Sequence, residues 1–349
     1  MKHVARILAP ILAAGLFATI AGCREDAESP TAPESTATPS TTALSLASNT
    51  WSARAPLPTS RGSFRGSFAL GAAPNAAGQW IAYVFGGEDE NGTGLVAEAY
   101  NVATNTWASA PNSFVNAMNL NGVGRIGNRL YFTGGETCCE ADFRTRNTTW
   151  AYQPSTARLF QKANMPRATI AGVTGVIDGK LYVLPGWCSG EAADPGHCSV
   201  DGPIRQLYRY DPSTNTWVAR RQAPHFHTFG AAGVINGKFY VVGGPGQGRY
   251  LDVYDPATNT WVTRAPIPTA GDQLSGAAIL SKLFVISWSH PFGGDVVSKA
   301  YLYDPATNTW RSRAAPPNGL GGPIVKVMLN GTPRLFIVGG DGPSYLYTP

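Results

Sequence analysis

Reactive side chains recur at matched places along this chain. Aligned on its internal repeats, Arg167 and His225 share one position, which Thr59 and Thr269 fill elsewhere. Arg61 and His227 share a second position, and Asp272 falls one place further along its own copy. Arg65 and Asn119 enter nearby, where the alignment is looser. A guanidinium clamps an anionic group through paired N–H donors. Imidazole titrates near neutral pH, so His225 or His227 is the natural general base, with Arg61 and Arg167 holding the anion. The expectation is a polar ring at the mouth of a central pore that takes an anionic or sugar-like ligand. The competing expectation is a water-filled channel, which needs polar lining in any case.

Other chemistry is thinly represented. The chain has no His-Glu-x-x-His, no Gly-x-Ser-x-Gly and no glycine-rich phosphate loop leading into a helix, so no cofactor is expected. Glu88, Glu136 and Asp341 each follow a Gly-Gly pair directly, with Glu140 and Asp142 close by in sequence. Such an arc suits a divalent cation or a cationic partner; equally, it is a set of solvated acids. Trp187, Trp288 and Tyr250 are candidate stacking platforms, or packing between sheets.

The elements that must position these groups are strands. From residue 47 onward the chain repeats at about 50 residues. One anchor is a strand ending in Gly-Gly, as in Tyr83-Val84-Phe85-Gly86-Gly87, Tyr131 to Gly135, Tyr240 to Gly244 and Phe336 to Gly340. Degenerate copies run from Tyr182 to Gly186 and from Phe284 to Trp288. The second anchor, Tyr-Asp-Pro-x-Thr-Asn-Thr-Trp, spans Tyr210 to Trp217, Tyr254 to Trp261 and Tyr303 to Trp310, with variants at Tyr100 to Trp107 and Tyr152 to Leu159. Asp-Pro starts a turn, and Asn tolerates the left-handed residue that closes it. On these motifs residues 47–349 resemble the kelch family, which implies an all-β, six-bladed kelch-type β-propeller. Tyr345 to Pro349 reads as the first half of an anchor, and Ala47 to Trp51 as the second half. The N-terminal strand is therefore expected to complete the C-terminal blade and leave no open edge.

In a blade of four antiparallel strands, a to d from axis to rim, the b–c and d–a connections share one face. The b–c connections of blades two and three are long, from Glu136 to about Thr149 and from Trp187 to Gln206. Long loops on a rigid scaffold are where binding concentrates. Cys138, Cys139, Cys188 and Cys198 all lie there. Pairing of Cys188 with Cys198 and of Cys138 with Cys139 is favoured, with cross-pairing between the loops as the alternative. A zinc site with His197 fits no standard ligand spacing.

The N-terminus reads as an export signal. Lys2, His3 and Arg6 precede an apolar run from Ile7 to Ile20, too short to span a bilayer comfortably. Ile20-Ala21-Gly22-Cys23 resembles the lipobox of bacterial lipoproteins, which implies a diacylated Cys23 as the mature N-terminus. Residues 1–22 are then the signal, 23–46 a Ser/Thr/Pro/Ala-rich disordered tether, and 47–349 the propeller. The formal charge of +5 drops to +3 without Lys2 and Arg6, too little and too scattered for nucleic acid.

These readings converge on a monomeric binding module for a protein or carbohydrate ligand, lipid-anchored in the cell envelope, with the outer membrane as the expected site. The alternative is a carbohydrate-active enzyme: some bacterial kelch propellers resemble sialic-acid epimerases, a comparison that suits an Arg-lined pore. Copper oxidases of related fold need a Tyr, His and Cys arrangement that this chain does not show. A third possibility is a structural part of an envelope complex.

Overall fold

The computed structural model describes residues 48–61, 68–87, 97–110, 119–136, 145–188, 202–244, 248–289, 297–339 and 344–349. Within the unit Ser45–Pro349 they form six four-stranded antiparallel sheets, plus a two-stranded ribbon, and no α-helix. Each sheet is a blade whose strands follow one another in chain order, with one exception. Blade six pairs Ile324–Leu329, Thr332–Val338 and Ser344–Thr348 with Thr50–Arg54 from the other end of the chain. Trp51 lies opposite Tyr347 and Thr50 opposite Thr348. The expected closure is present, and the six-bladed all-β propeller with it.

Two devices, each built from one repeat residue type, hold neighbouring blades together. The aromatic residue of the second strand packs on the tyrosine of the next blade's third strand. These pairs are Tyr83–Tyr152, Tyr131–Tyr210, Tyr182–Tyr254, Tyr240–Tyr303, Phe284–Tyr347 and Phe336–Tyr100, with ring centroids 4.4 to 6.1 Å apart. The last pair joins blade six to blade one, so the circle is complete. Such contacts add to the area burial of the rings.

The second device is the turn asparagine. Asn259 adopts φ 54°, the left-handed region that Asn tolerates. Its Oδ1 accepts from Tyr254 of its own blade at 2.8 Å and from the Arg221 backbone N–H of the preceding blade at 3.1 Å. Trp261 Nε1 then donates to the Arg221 carbonyl at 2.9 Å. Asn105, Asn215, Asn308 and Asn49 repeat the arrangement. In blade two Ala157 holds the left-handed position at φ 49° and Leu159 replaces Trp.

Glycine keeps the inner strands close. A Cβ on Gly175 would sit 2.7 Å from the Phe239 ring and 2.8 Å from Val234 of the next blade. The long connection of blade three begins and ends in a short ribbon, Trp187–Cys188 against Gly202–Pro203. No helix among the described residues is long and apolar enough to cross a membrane.

Candidate functional site

The d–a connection before blade one delivers Thr59 and Arg61 not to the axis but beneath the blade's third strand. Arg61 is fully buried. Its Nε and Nη2 donate to Glu98 Oε2 at 3.1 and 2.8 Å, and Nη1 donates to the Gly86 carbonyl at 2.6 Å. Thr59 Oγ1 donates to the other Glu98 oxygen at 3.0 Å. Burial pulls the guanidinium below its ordinary pKa, and the bond and charge of Glu98 oppose that.

Blade four builds the same framework from titratable parts. His225 stands at the Thr59 position, His227 at that of Arg61, Asp252 at that of Glu98 and Gly243 at that of Gly86. His225 Nδ1 meets Asp252 Oδ2 at 2.9 Å and His227 Nε2 meets the same oxygen at 3.0 Å. His227 Nδ1 lies 2.7 Å from the Gly243 carbonyl. Both nitrogens of His227 therefore face oxygen atoms, as the guanidinium of Arg61 does in blade one. Thr263 Oγ1 donates to Asp252 Oδ1 at 2.7 Å. Burial alone would raise the Asp252 carboxyl. Hydrogen bonds from His227 and Thr263, the charge of His227 and the bond from His225 outweigh it, and the group lies below the ordinary carboxylate value.

The other blades vary the theme. In blade five Tyr301 donates to Thr269 Oγ1 at 2.8 Å. In blade three burial raises the Tyr208 hydroxyl and the charge of Arg167 opposes the rise. Arg167 Nε is buried with no hydrogen-bond partner among the described residues. Asp272 is exposed, with its backbone N–H bonded to the Trp288 carbonyl. Asn119 Nδ2 donates to the buried carboxylate of Glu136 at 2.5 Å.

This geometry corrects the pore-ring placement. The central channel, about 310 Å³, is walled by the six innermost strands, with Asn121, Thr174, Gln273, Ser275 and Lys326 as its polar groups. Arg61, Arg167, His225, His227 and Asp272 do not line it. The d–a side chains turn outward because the third strand offers them a carboxylate or a tyrosine hydroxyl, which the axis does not. Glu136 likewise is paired below the surface with Asn119. Trp288 is buried at 5% exposure and belongs to the core. Arg65, Glu88, Asp341, Cys23, Cys138, Cys139 and Cys198 lie outside the described residues. Cys188 is buried against Ala168 and Ile204. Among the described residues no three His, Cys, Asp or Glu side chains are grouped to hold a metal ion.

The exposed chemistry of this face lies elsewhere. The His225 ring stacks on Tyr250 with centroids 3.6 Å apart and planes 5° apart. Tyr250 is 47% exposed and Phe226 39%. The Arg205 guanidinium lies over the Phe226 ring, 5.3 Å from its centre. Arg205 and Phe226 escaped the repeat alignment because they belong to single blades. Glu98 and Asp252 were within its reach, since each stands two residues before the repeat tyrosine, Tyr100 or Tyr254.

Comparison with known proteins agrees with the fold. The Kelch motif model matches residues 172–219, which span blade three. Kelch-like protein terF of Aspergillus terreus is 26% identical over 145 residues, covering 40% of this chain and 30% of that protein. Human Kelch repeat and BTB domain-containing protein 12 is 26% identical over 127 residues, covering 36% of this chain and 20% of the relative. The chain thus spans less than a third of either relative's length. The solved structure of YjhT superposes with a TM-score of 0.61 at 16% identity, over 83% of this chain and 94% of that one. The motif match in blade three, the partial relatives and the closed ring of blades show a six-bladed β-propeller that is similar to those of kelch-repeat proteins.

Proposed function

We propose that this chain is an exported propeller, anchored through a lipidated Cys23, that binds a protein partner on its b–c/d–a face. Kelch propellers are typically protein-interaction modules. One observation carries the reading for this molecule. On that face Arg61, His227 and Asp252 are committed to the framework, whereas Tyr250, Phe226 and Arg205 are exposed. Tyrosine and arginine, with large exposed apolar area beside them, are what binding hot spots use. The long connection of blade three runs up to Arg205 in sequence, and we assign Cys188 to a pairing with Cys198 that staples it.

The test passes envelope proteins over the immobilised chain and over its Phe226→Ala/Tyr250→Ala variant. A protein held by the wild type and released by an equally stable variant is the expected result. A sugar-acid array bound tightly by both would reject the protein-partner reading.

One observation favours the enzymatic alternative on a carbohydrate. His225 presents a partly exposed ring whose Nδ1 is held by the buried Asp252, the arrangement that orients an imidazole as a base. Turnover of any sugar acid that disappears in His225→Ala would establish it.

A further inference from the structure

Beside the aromatic patch, blades three and four leave an open cleft of about 660 Å³. Arg205 and Arg221 line it, with Gln222, Pro224, Thr260 and Trp261. We infer that this cleft is a docking groove for an acidic peptide segment; the inference rests on the protein-binding reading above and names the partner's chemistry.

Three features argue for that occupant. First, the two guanidiniums are exposed and have no carboxylate within ion-pair distance among the described residues. The carboxylates of the neighbouring framework are already taken: Asp211 by Lys180, Asp255 by Lys238, and Asp252 by His225 and His227. Among the described residues the local charge around the cleft is therefore positive. Second, each arginine is partly positioned before any partner arrives. Arg205 Nη1 donates to the Pro224 carbonyl at 3.1 Å while its plane covers Phe226. The Arg221 main chain is fixed by Asn259 and Trp261. A pre-placed fork loses less freedom when it meets a carboxylate. Third, Trp261, Pro224 and Ala223 give the groove an apolar floor and edge. A chain with carboxylates along one side and small apolar residues along the other fits it, whereas a bare small anion would leave that floor uncovered.

The experiment measures fluorescence anisotropy of a labelled peptide of alternating Glu and Ala against the full-length chain in detergent. Its comparison probes are the Lys–Ala counterpart and a uronic-acid oligosaccharide of matched charge. The Arg205→Ala/Arg221→Ala variant is set against Arg158→Ala/Arg311→Ala, which removes the same charge from the outer strands of blades two and five. The expected result is a loss of about tenfold or more in affinity for the Glu peptide in the first variant only. Arg205→Lys/Arg221→Lys should recover only part of it, since Lys keeps charge without the fork. Equal affinity in both alanine variants, or tighter binding of the oligosaccharide, would overturn the inference. If the Glu peptide fails while the Phe226→Ala/Tyr250→Ala variant still releases a protein partner, the acidic groove is rejected and the binding face stands.

Discussion

The hydroxyl of Tyr347 donates to Asn49 Oδ1 at 2.7 Å, joining residues 298 positions apart in the chain. The same oxygen accepts the Ala314 backbone N–H at 3.0 Å, and Trp51 Nε1 donates to the Ala314 carbonyl at 2.8 Å. One asparagine thus serves both partners at the seam of the ring.

Asn49→Ala should therefore weaken the whole domain rather than fray one strand. Losing a shared acceptor and a residue that tolerates the left-handed turn costs about 2 kcal/mol. The thermal midpoint should fall by about 3 °C in a single cooperative transition. A separate early transition for blade six would show that closure is local.

His227 is held as a buried partner of Asp252, so its removal should be costly. His227→Leu is expected to destabilise by about 3 to 5 kcal/mol, because Asp252 keeps its charge without its main partner. His227→Leu/Asp252→Leu should regain much of that loss. Denaturant titration of the two variants measures the difference. Similar losses in both would mean that packing, not the stranded carboxylate, sets the cost.

Asp252 also fixes an acid dependence. Its carboxyl lies below the ordinary carboxylate value in the folded chain. Its contribution is fully present above the unfolded value, about 4, and is lost as pH falls through the lower folded value. Asp252→Asn should be less stable than wild type at pH 7, and the two midpoints should converge as pH falls from about 4 towards 2. Parallel curves across that range would contradict the assignment.

Blade two departs from the repeat, and the departure is correctable. Ala157 occupies a left-handed position that elsewhere belongs to asparagine. Ala157→Asn should stabilise by about 1 kcal/mol, read as a raised thermal midpoint. An unchanged or lowered midpoint would mean that the short 3-10 turn before it, Pro154–Thr156, already suits alanine.

Particular residues show why the fold was legible and the site only partly so. The Tyr and Trp of each anchor lie at fixed spacing and meet equivalent partners in nearly every blade, so periodicity alone locates them. The split anchor at Tyr345 and Trp51 demanded closure for the same reason. Arg61 and His227 were correctly matched to each other, but spacing along one segment does not say where a side chain turns. Their direction is set by Glu98 and Asp252, which lie on another strand and differ in length. The stack of His225 on Tyr250 joins residues from two connections with no periodic counterpart, and Arg205 over Phe226 does the same between blades. Contacts made once leave no trace in a repeat.

The central functional claim is that the patch around Tyr250 and Phe226 is the binding surface. Photo-crosslinking in living cells tests it most directly, with a benzophenone amino acid placed singly at 250, 226, 262 and 326. Val262 is 48% exposed on the outer strand of blade four, and Lys326 faces the central channel. The account predicts one discrete protein adduct from positions 250 and 226, and none from 262 or 326. An adduct from 326 alone, or the same adducts from all four positions, would contradict it.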